Sequence, residues 1–187
     1  MEKVFIGCSM LQDEINKIIK DTGLTNNILY IDAALHVNLD QLEQALTEKL
    51  NHLADNAQPI ILVGNKCHPD IMHLADQCHG KIVNASNCIE LLLGNKMNDF
   101  DQEAKTFYLT SGWLARWRDI FIKGLGWDST DARQNFGYYD RVILIDTGFN
   151  EISDEELLEF FEYTQVPIEI YTTTLENLKS NILNALV

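Results

Sequence analysis

Basic residues are scarce in this chain. Its 14 lysines and arginines stand against 28 aspartates and glutamates, which leaves a net charge of −14. Because nucleic acids are bound largely by Lys and Arg that displace counterions from phosphates, this balance argues against a nucleic-acid partner. It argues equally against an anionic membrane surface. No apolar run approaches the roughly 18 residues of a membrane span, and the N-terminus lacks the features of a signal peptide. We therefore expect a cytoplasmic protein that contacts neither nucleic acid nor membrane.

Sequence signals for nucleotide binding and for domain linkers are also missing. No Walker-type Gly-Lys-Ser/Thr occurs, and the Gly-Leu-Gly at 124–126 does not open a helix after a strand, so nucleotide binding is unsupported. No segment is rich in Gly, Ser or Pro, and no low-complexity tract is present. At this length we expect residues 1–187 to form a single domain.

What the chain does contain is a regular alternation of short apolar runs with longer amphipathic segments. The apolar runs predict strands near 3–7, 27–32, 59–64, 81–84, 106–110, 141–146 and 167–172. The amphipathic segments predict helices near 9–21, 39–55, 69–79, 88–97, 111–122, 129–136, 153–164 and 174–186. This order predicts an α/β fold, a mostly parallel sheet with helices on both faces in a doubly wound, Rossmann-like arrangement.

Three of the four cysteines occupy the same position in this pattern. Cys8, Cys67 and Cys88 each follow an apolar run of strand length and stand at a predicted helix start. Ser9 is the predicted cap of the first of these helices, and Asn87 that of the third. Because ligands bind at the carboxyl edge of a parallel sheet, the pattern gathers three thiols in one crevice. The helix N-termini are expected to favour their thiolate forms.

Thiols in a reducing cytosol are core residues, metal ligands or reactive groups. Cys78, near a predicted helix end, is interpreted as a packing residue. Three sulfur ligands suit zinc, copper(I) or an iron–sulfur cluster. No Cys-x-x-Cys pair supports the interpretation, so unrelated packing of the three cysteines stays open. His36, which follows the second predicted strand, is a candidate fourth ligand or base; His68 is a weaker candidate that also suits a helix cap.

Two further stretches stand out. A strand that runs into Thr110, Ser111, Gly112 and Trp113 offers hydroxyls and amides at a helix start, which is a suitable place for a ligand. The three tryptophans are better explained by core packing, although Trp113 can also line a pocket. Much of the acidic excess lies between Asp146 and Glu162, where we predict an amphipathic helix with a solvated face.

Taken in order, several of these segments resemble a family of uncharacterised bacterial and archaeal proteins. The segments are residues 5–8, the Leu35-His36 turn, and residues 64–70, 87–94, 107–110, 123–126 and 136–139. Genes of that family often lie near corrinoid proteins and methylamine-type methyltransferases. The family's three cysteines align with Cys8, Cys67 and Cys88, while Cys78 has no counterpart. Many members have Cys-Gly where this chain has Cys67-His68. The chain also lacks the Asp-x-His-x-x-Gly motif of cobalamin carriers, so it is not expected to carry the corrinoid itself.

The resemblance implies a role in corrinoid-linked methyl-group or one-carbon metabolism, with a corrinoid or methyltransferase protein or a small molecule as partner. The leading hypothesis is a three-cysteine site for zinc or an iron–sulfur cluster that activates a substrate thiol for methylation. In it, Cys8, Cys67 and Cys88 are ligands, and His36 is a fourth ligand or a base. Thr110, Ser111 and Trp113 shape the substrate pocket. Two alternatives stay open, a non-catalytic metal-binding accessory of a methyltransferase and a metal-free thiol enzyme.

Overall fold

A computed structural model describes residues 2–54 and 56–187 of the chain. The strands are β1 (Glu2–Cys8), β2 (Ile28–Ile31), β3 (Ala57–Leu62), β4 (Lys81–Ile82), β5 (Thr106–Thr110), β6 (Arg141–Asp146) and β7 (Ile168–Thr172). The helices are α1 (Gln12–Thr22), α2 (Leu39–Asn51), α3 (Ile71–Gln77), α4 (Cys88–Leu93), α5 (Lys96–Glu103), α6 (Ser111–Leu114), α7 (Ser129–Phe136), α8 (Asp154–Thr164) and α9 (Glu176–Ala185). Two 3₁₀ turns (Ser9–Leu11 and Ala33–Val37) and a π-helix (Arg118–Gly124) complete the described elements.

The chain divides into two compact units. The first comprises the residues up to Leu92 together with Leu175–Val187, and the second comprises Leu93–Thr174. In the first unit, four parallel strands follow the order β2-β1-β3-β4. Phe5 of β1 lies beside Ile28 of β2 on one side and Ile60 of β3 on the other. Phe5, Ile6, Ile60 and Ile61 are fully buried, as expected where both faces of a parallel sheet are covered.

The second unit has its own three-stranded parallel sheet, in the order β5-β6-β7. Its core is strongly aromatic. Phe107 and Phe136 pack edge to face with 4.8 Å between ring centroids, and Phe121 stacks on Trp127 at 5.8 Å. Trp117 packs against Phe160 in the same core, which confirms the packing interpretation for these tryptophans.

The structure confirms the predicted α/β class, with parallel strands flanked by helices. It differs in dividing the strands between two sheets. β4 has only two residues and offers little backbone for a further strand, and β5 pairs with β6 instead. The helix predicted over 88–97 is divided near Gly94, whose φ of 55° suits a helix end. Asp55, at the end of another predicted helix, lies outside the described residues. The single domain over 1–187 stays a prediction.

Candidate metal centre

The first sheet changes winding direction between β1 and β3. The chain runs from β1 outward to β2, and then returns to place β3 on the other side of β1. In open parallel sheets, such a switch point opens a crevice at the carboxyl ends of the strands, where ligands bind. Cys8 ends β1, and Cys67 lies in the loop after β3. Cys88, the first residue of α4, follows the neighbouring strand β4.

The loops that carry Cys67 and Cys88 are bonded to each other through their main chains. The amide of Asn65 donates to the carbonyl of Ala85 at 2.9 Å, and the amide of Lys66 donates to that of Ser86 at 3.0 Å. Gly64 lies so close that a Cβ there would overlap the Ser86 carbonyl and the main chain of Asn87. The short distance between the loops therefore requires glycine at this position.

Cys8 is positioned by a hydrogen bond to the turn that follows it. Its buried sulfur accepts a hydrogen bond from the amide of Met10 at 3.5 Å and so caps the 3₁₀ turn Ser9–Leu11. The prediction that Ser9 caps this segment is wrong. The Ser9 hydroxyl instead accepts from the amide of Ala33 at 2.9 Å. This bond joins the end of β1 to the residues after β2.

The Cys88 loop is stabilised by a second set of bonds. The Asn87 side chain accepts from the amide of Glu90 at 2.9 Å, which confirms the predicted cap. The Glu90 carboxylate accepts from both the amide and the hydroxyl of Ser86, and these bonds lower the pKa of Glu90. The Asn87 cap and the bonds between Ser86 and Glu90 together fix the start of α4.

The three predicted ligands are electrostatically coupled. Burial raises the pKa of the Cys88 thiol well above its usual range, and the nearby Cys8 and Cys67 raise it further. Burial also raises the pKa of Cys67, against a smaller opposite effect from the Gly64 main chain. The expectation that helix starts favour the thiolates is wrong for Cys67 and Cys88, because desolvation outweighs the few amides. The raised pKa of Cys67 and Cys88 also does not favour a metal-free thiol nucleophile, whose pKa is normally lowered.

The sulfur atoms are spaced too widely for one tight triangle. Among the described residues, the group of three or more donors lying within 4.8 Å of one another is Glu43, His68 and Asp70. At least one pair of the cysteine sulfurs is therefore more than 4.8 Å apart. Thiolates on one zinc ion, with Zn–S near 2.3 Å, would be about 3.8 Å apart.

The group of Glu43, His68 and Asp70 is poorly suited to hold a cation. The buried His68 ring accepts from the amide of Asp70 through Nδ1 at 3.1 Å. The ring proton must then be on Nε2, which lies 3.8 Å from the Glu43 carboxylate. Neither nitrogen is left with an available lone pair for a metal. α3 begins at Ile71, later than predicted, and His68 orients the loop just before it.

His36 has the tautomer that a ligand or base requires. It lies in the 3₁₀ turn after β2, which the Asp32 side chain caps. Its Nδ1 lies 3.0 Å from the Ala33 carbonyl, and a carbonyl only accepts, so Nδ1 carries the proton and Nε2 the lone pair. Burial lowers the pKa of His36. The role of His36 as ligand or base stays a prediction.

The other predicted site residues, Thr110, Ser111 and Trp113, belong to the second unit. The Thr110 hydroxyl accepts from the amide of Trp113 at 3.2 Å and caps α6. Ser111 is buried, and its hydroxyl accepts from the Asn150 side chain at 3.2 Å. Trp113 packs against Phe107 and Phe121. These contacts are structural, and the predicted role in substrate binding stays a prediction.

Cys78 differs from the other three cysteines. It is the C-cap residue that follows α3, and its sulfur lies 3.2 Å from the Ala75 carbonyl and 3.3 Å from that of Leu74. This is the ordinary contact of a cysteine with the preceding turn of its helix. The residues that sequence reasoning missed are Gly64 and Ser86. A glycine that follows an apolar run was the available signal for the first.

Comparison with known proteins places the chain in a family. Residues 30–182 match the family described as "Protein of unknown function (DUF1638)". The chain belongs to the DUF1638 family. The match includes Cys67 and Cys88 and begins after Cys8. No curated protein and no solved structure matches this DUF1638 chain. None of the helices in its described part has the length and apolarity that a membrane crossing needs.

Proposed function

We propose that this DUF1638 protein is a cytoplasmic metal-binding protein whose centre, zinc or an iron–sulfur cluster, is held by Cys8, Cys67 and Cys88. We further propose that it acts in corrinoid-dependent methyl-group or one-carbon metabolism, where the centre activates a small-molecule thiol for methylation. The observation that carries the proposal is the proximity of three thiols, that of Cys8 buried and those of Cys67 and Cys88 partly buried, at the carboxyl edge of the first sheet.

The protonation of these thiols supports a metal ligand set. Burial raises the pKa of the Cys67 and Cys88 thiols and so favours their neutral forms. A thiolate at any one of the three positions would also destabilise thiolates at the other two. A cation reverses both effects, because it stabilises each thiolate that it binds. Binding then releases protons, and affinity rises with pH.

The spacing of the sulfurs favours a cluster over a single ion. An iron–sulfur cluster takes its thiolates on separate iron atoms, so it accepts cysteines that stand farther apart than the ligands of one zinc ion. In a four-iron cluster, Cys8, Cys67 and Cys88 would each hold one iron, and the fourth iron would have no protein thiolate. A substrate thiol is one ligand for that position, and His36 is another.

The methylation step balances without an added oxidant or reductant. The substrate thiolate attacks the methyl carbon of the donor, so a sulfur–carbon bond forms. The bond between methyl and donor breaks, and its electron pair leaves with the donor, as with the cobalt of a corrinoid. The residues of this chain contribute by holding the centre, and the unprotonated Nε2 of His36 is suited to accept the substrate's thiol proton.

Purification without air or chelator tests the proposal. Elemental analysis and a visible spectrum are measured on the wild type and on four variants, Cys8→Ser, Cys67→Ser, Cys88→Ser and Cys78→Ser. We expect bound metal in the wild type and in Cys78→Ser, and its loss in the other three. Iron with sulfide and brown absorption identifies a cluster, and colourless zinc identifies an ion. A metal-free wild type, or equal metal content in all four variants, contradicts the proposal.

A second candidate, a non-catalytic accessory that delivers its centre to a methyltransferase, is favoured by the charge of α8. Its first turn has three consecutive acids, Asp154, Glu155 and Glu156, which suit a docking surface. Metal bound tightly, without thiol methylation in the presence of a methyl-corrinoid donor, would distinguish this candidate. Transfer of the metal to a methyltransferase would identify its function.

A further inference from the structure

An exposed apolar groove lies between α8 and β7 in the second unit. Its volume is about 340 Å³, and its lining residues are Leu157, Leu158, Phe161, Pro167, Ile168 and Ile170. Leu158 is 56% exposed, Ile170 55% and Phe161 39%. Single exposed apolar residues are ordinary, but a contiguous set on a helix and the adjoining strand is typical of an interaction site.

Three carboxylates flank Leu158, one of the residues that line the groove. On a helix, the neighbours of Leu158 on the surface are the residues three and four positions away. These are Asp154, Glu155, Phe161 and Glu162. All four are exposed, so three acids and one aromatic ring flank the leucine.

The segment that forms this groove contains no cationic side chain, and the cations that pair with its acids come from outside it: Arg141 pairs with Glu169 at 3.2 Å and Lys179 with Glu176 at 3.8 Å. Between Val142 and Leu178 this segment has nine aspartates and glutamates and no lysine, arginine or histidine. Arg118 approaches from outside that segment, but it binds Glu156 and Glu159 on another side of α8. Arg133 donates to the main-chain carbonyl of Glu162 at 3.1 Å and not to its carboxylate.

We propose that this groove docks a basic amphipathic helix of a partner protein. Leucine or phenylalanine side chains at helical spacing would fill the groove beside Leu158 and Ile170. Lysines and arginines along both sides of that helix would meet Asp154, Glu155 and Glu162. A second copy of this chain is a poor occupant, because it would bring two acidic rims together. This docking surface is independent of the cysteine site.

The test uses two fluorescein-labelled peptides of the same Leu/Lys composition and length. In one peptide the leucines form a single helical face, and in the other they are scrambled. Fluorescence anisotropy is followed while each is titrated with the wild-type chain at low and physiological salt. We expect the amphipathic peptide to bind more tightly, with an affinity that falls as salt rises. Equal binding of both peptides, or binding of neither, would overturn the proposal.

Matched variants locate the binding. Leu158→Ser should weaken the binding of the amphipathic peptide by about tenfold, because the complex loses an apolar contact that the peptide would bury. The double variant Glu155→Gln, Glu162→Gln should bind this peptide several-fold more weakly, and its affinity should depend less on salt. The controls are Met72→Ser, at a methionine 52% exposed on α3, and Asp76→Asn on the same helix. Controls that weaken binding as much as the groove variants would show non-specific attraction and refute the site.

Analytical ultracentrifugation of the chain alone tests whether a second copy of the chain occupies the groove. We expect the same sedimentation for the wild type and Leu158→Ser, which supports a groove reserved for a different protein. Self-association that Leu158→Ser abolishes would instead assign the groove to a second copy. Circular dichroism of every variant verifies that the substitutions, all at exposed side chains, leave the fold unchanged.

Discussion

At the scale of single residues, Gly64 decides whether the cysteine loops can meet. It lies against the Ser86 carbonyl and the main chain of Asn87, which are parts of the backbone and cannot rotate away as a side chain end does. At Gly7, in β1, the three atoms nearest to a Cβ would all belong to side chains, those of Ile15, Tyr30 and Ile28. The two glycines therefore differ in what a methyl group would displace.

We expect Gly64→Ala to lower the free energy of unfolding by about 2 kcal/mol, because the loops must separate to admit the methyl group. Urea denaturation measures this loss. The same variant should lose its bound metal, as judged by elemental analysis. Gly7→Ala is the matched control, with a smaller loss of stability and metal retained. If Gly64→Ala keeps both its stability and its metal, the two loops are not held as described.

At the scale of elements, the start of α4 is fixed by a side-chain cap next to a candidate ligand. Asn87 caps α4 immediately before Cys88, and Asn38 caps α2 by accepting from the amide of Gln41 at 3.2 Å. The two caps have the same chemistry. Only the first lies beside a cysteine of the candidate site.

Asn87→Ala and Asn38→Ala should each lower the free energy of unfolding by about 1 kcal/mol, since each loses one capping bond. Only Asn87→Ala should reduce metal binding, measured by competition with a coloured chelator. Asn87→Ser, which restores a capping oxygen, should recover most of both losses. Equal metal affinities for the two alanine variants would contradict a role for the α4 cap in positioning Cys88.

At the scale of the whole molecule, three tyrosines connect stability to pH. Burial raises the pKa of the Tyr30, Tyr108 and Tyr163 phenols, with nearby carboxylates adding to the shift. Tyr108 also donates to Asp101 at 2.6 Å. The neutral phenols are preferred in the folded chain, while in the unfolded chain each ionises near pH 10.

The stability that these phenols contribute should be complete below about pH 10 and should fall as the pH rises further, because the unfolded chain releases their protons first. Denaturant melts at increasing pH measure the loss. Ultraviolet titration of tyrosinate should show these phenols ionising late, together with unfolding. Tyr108→Phe should make the decline shallower. A free energy of unfolding that stays constant through this range would contradict the assigned burial.

The sequence alone determined the strands and the class of fold. Every predicted strand is present, because an apolar run bounded by turn residues is a local signal. The placement of Cys8, Cys67 and Cys88 after successive strands followed from the same runs. The cap at Asn87 was also readable, since it depends on residues only three apart.

Only the tertiary structure decided the division into two sheets, the close approach at Gly64 and the protonation of the thiols. Strand pairing depends on residues far apart in the chain, so the sequence did not show which sheet β5 joins. In the structure β4 has only two paired residues, and β5 pairs with β6. The pKa of Cys88 depends on burial and on two cysteines from distant loops. Helix-start patterns capture the few local amides but not the desolvation that outweighs them. This is why thiolates were expected at Cys67 and Cys88, where the fold favours neutral thiols.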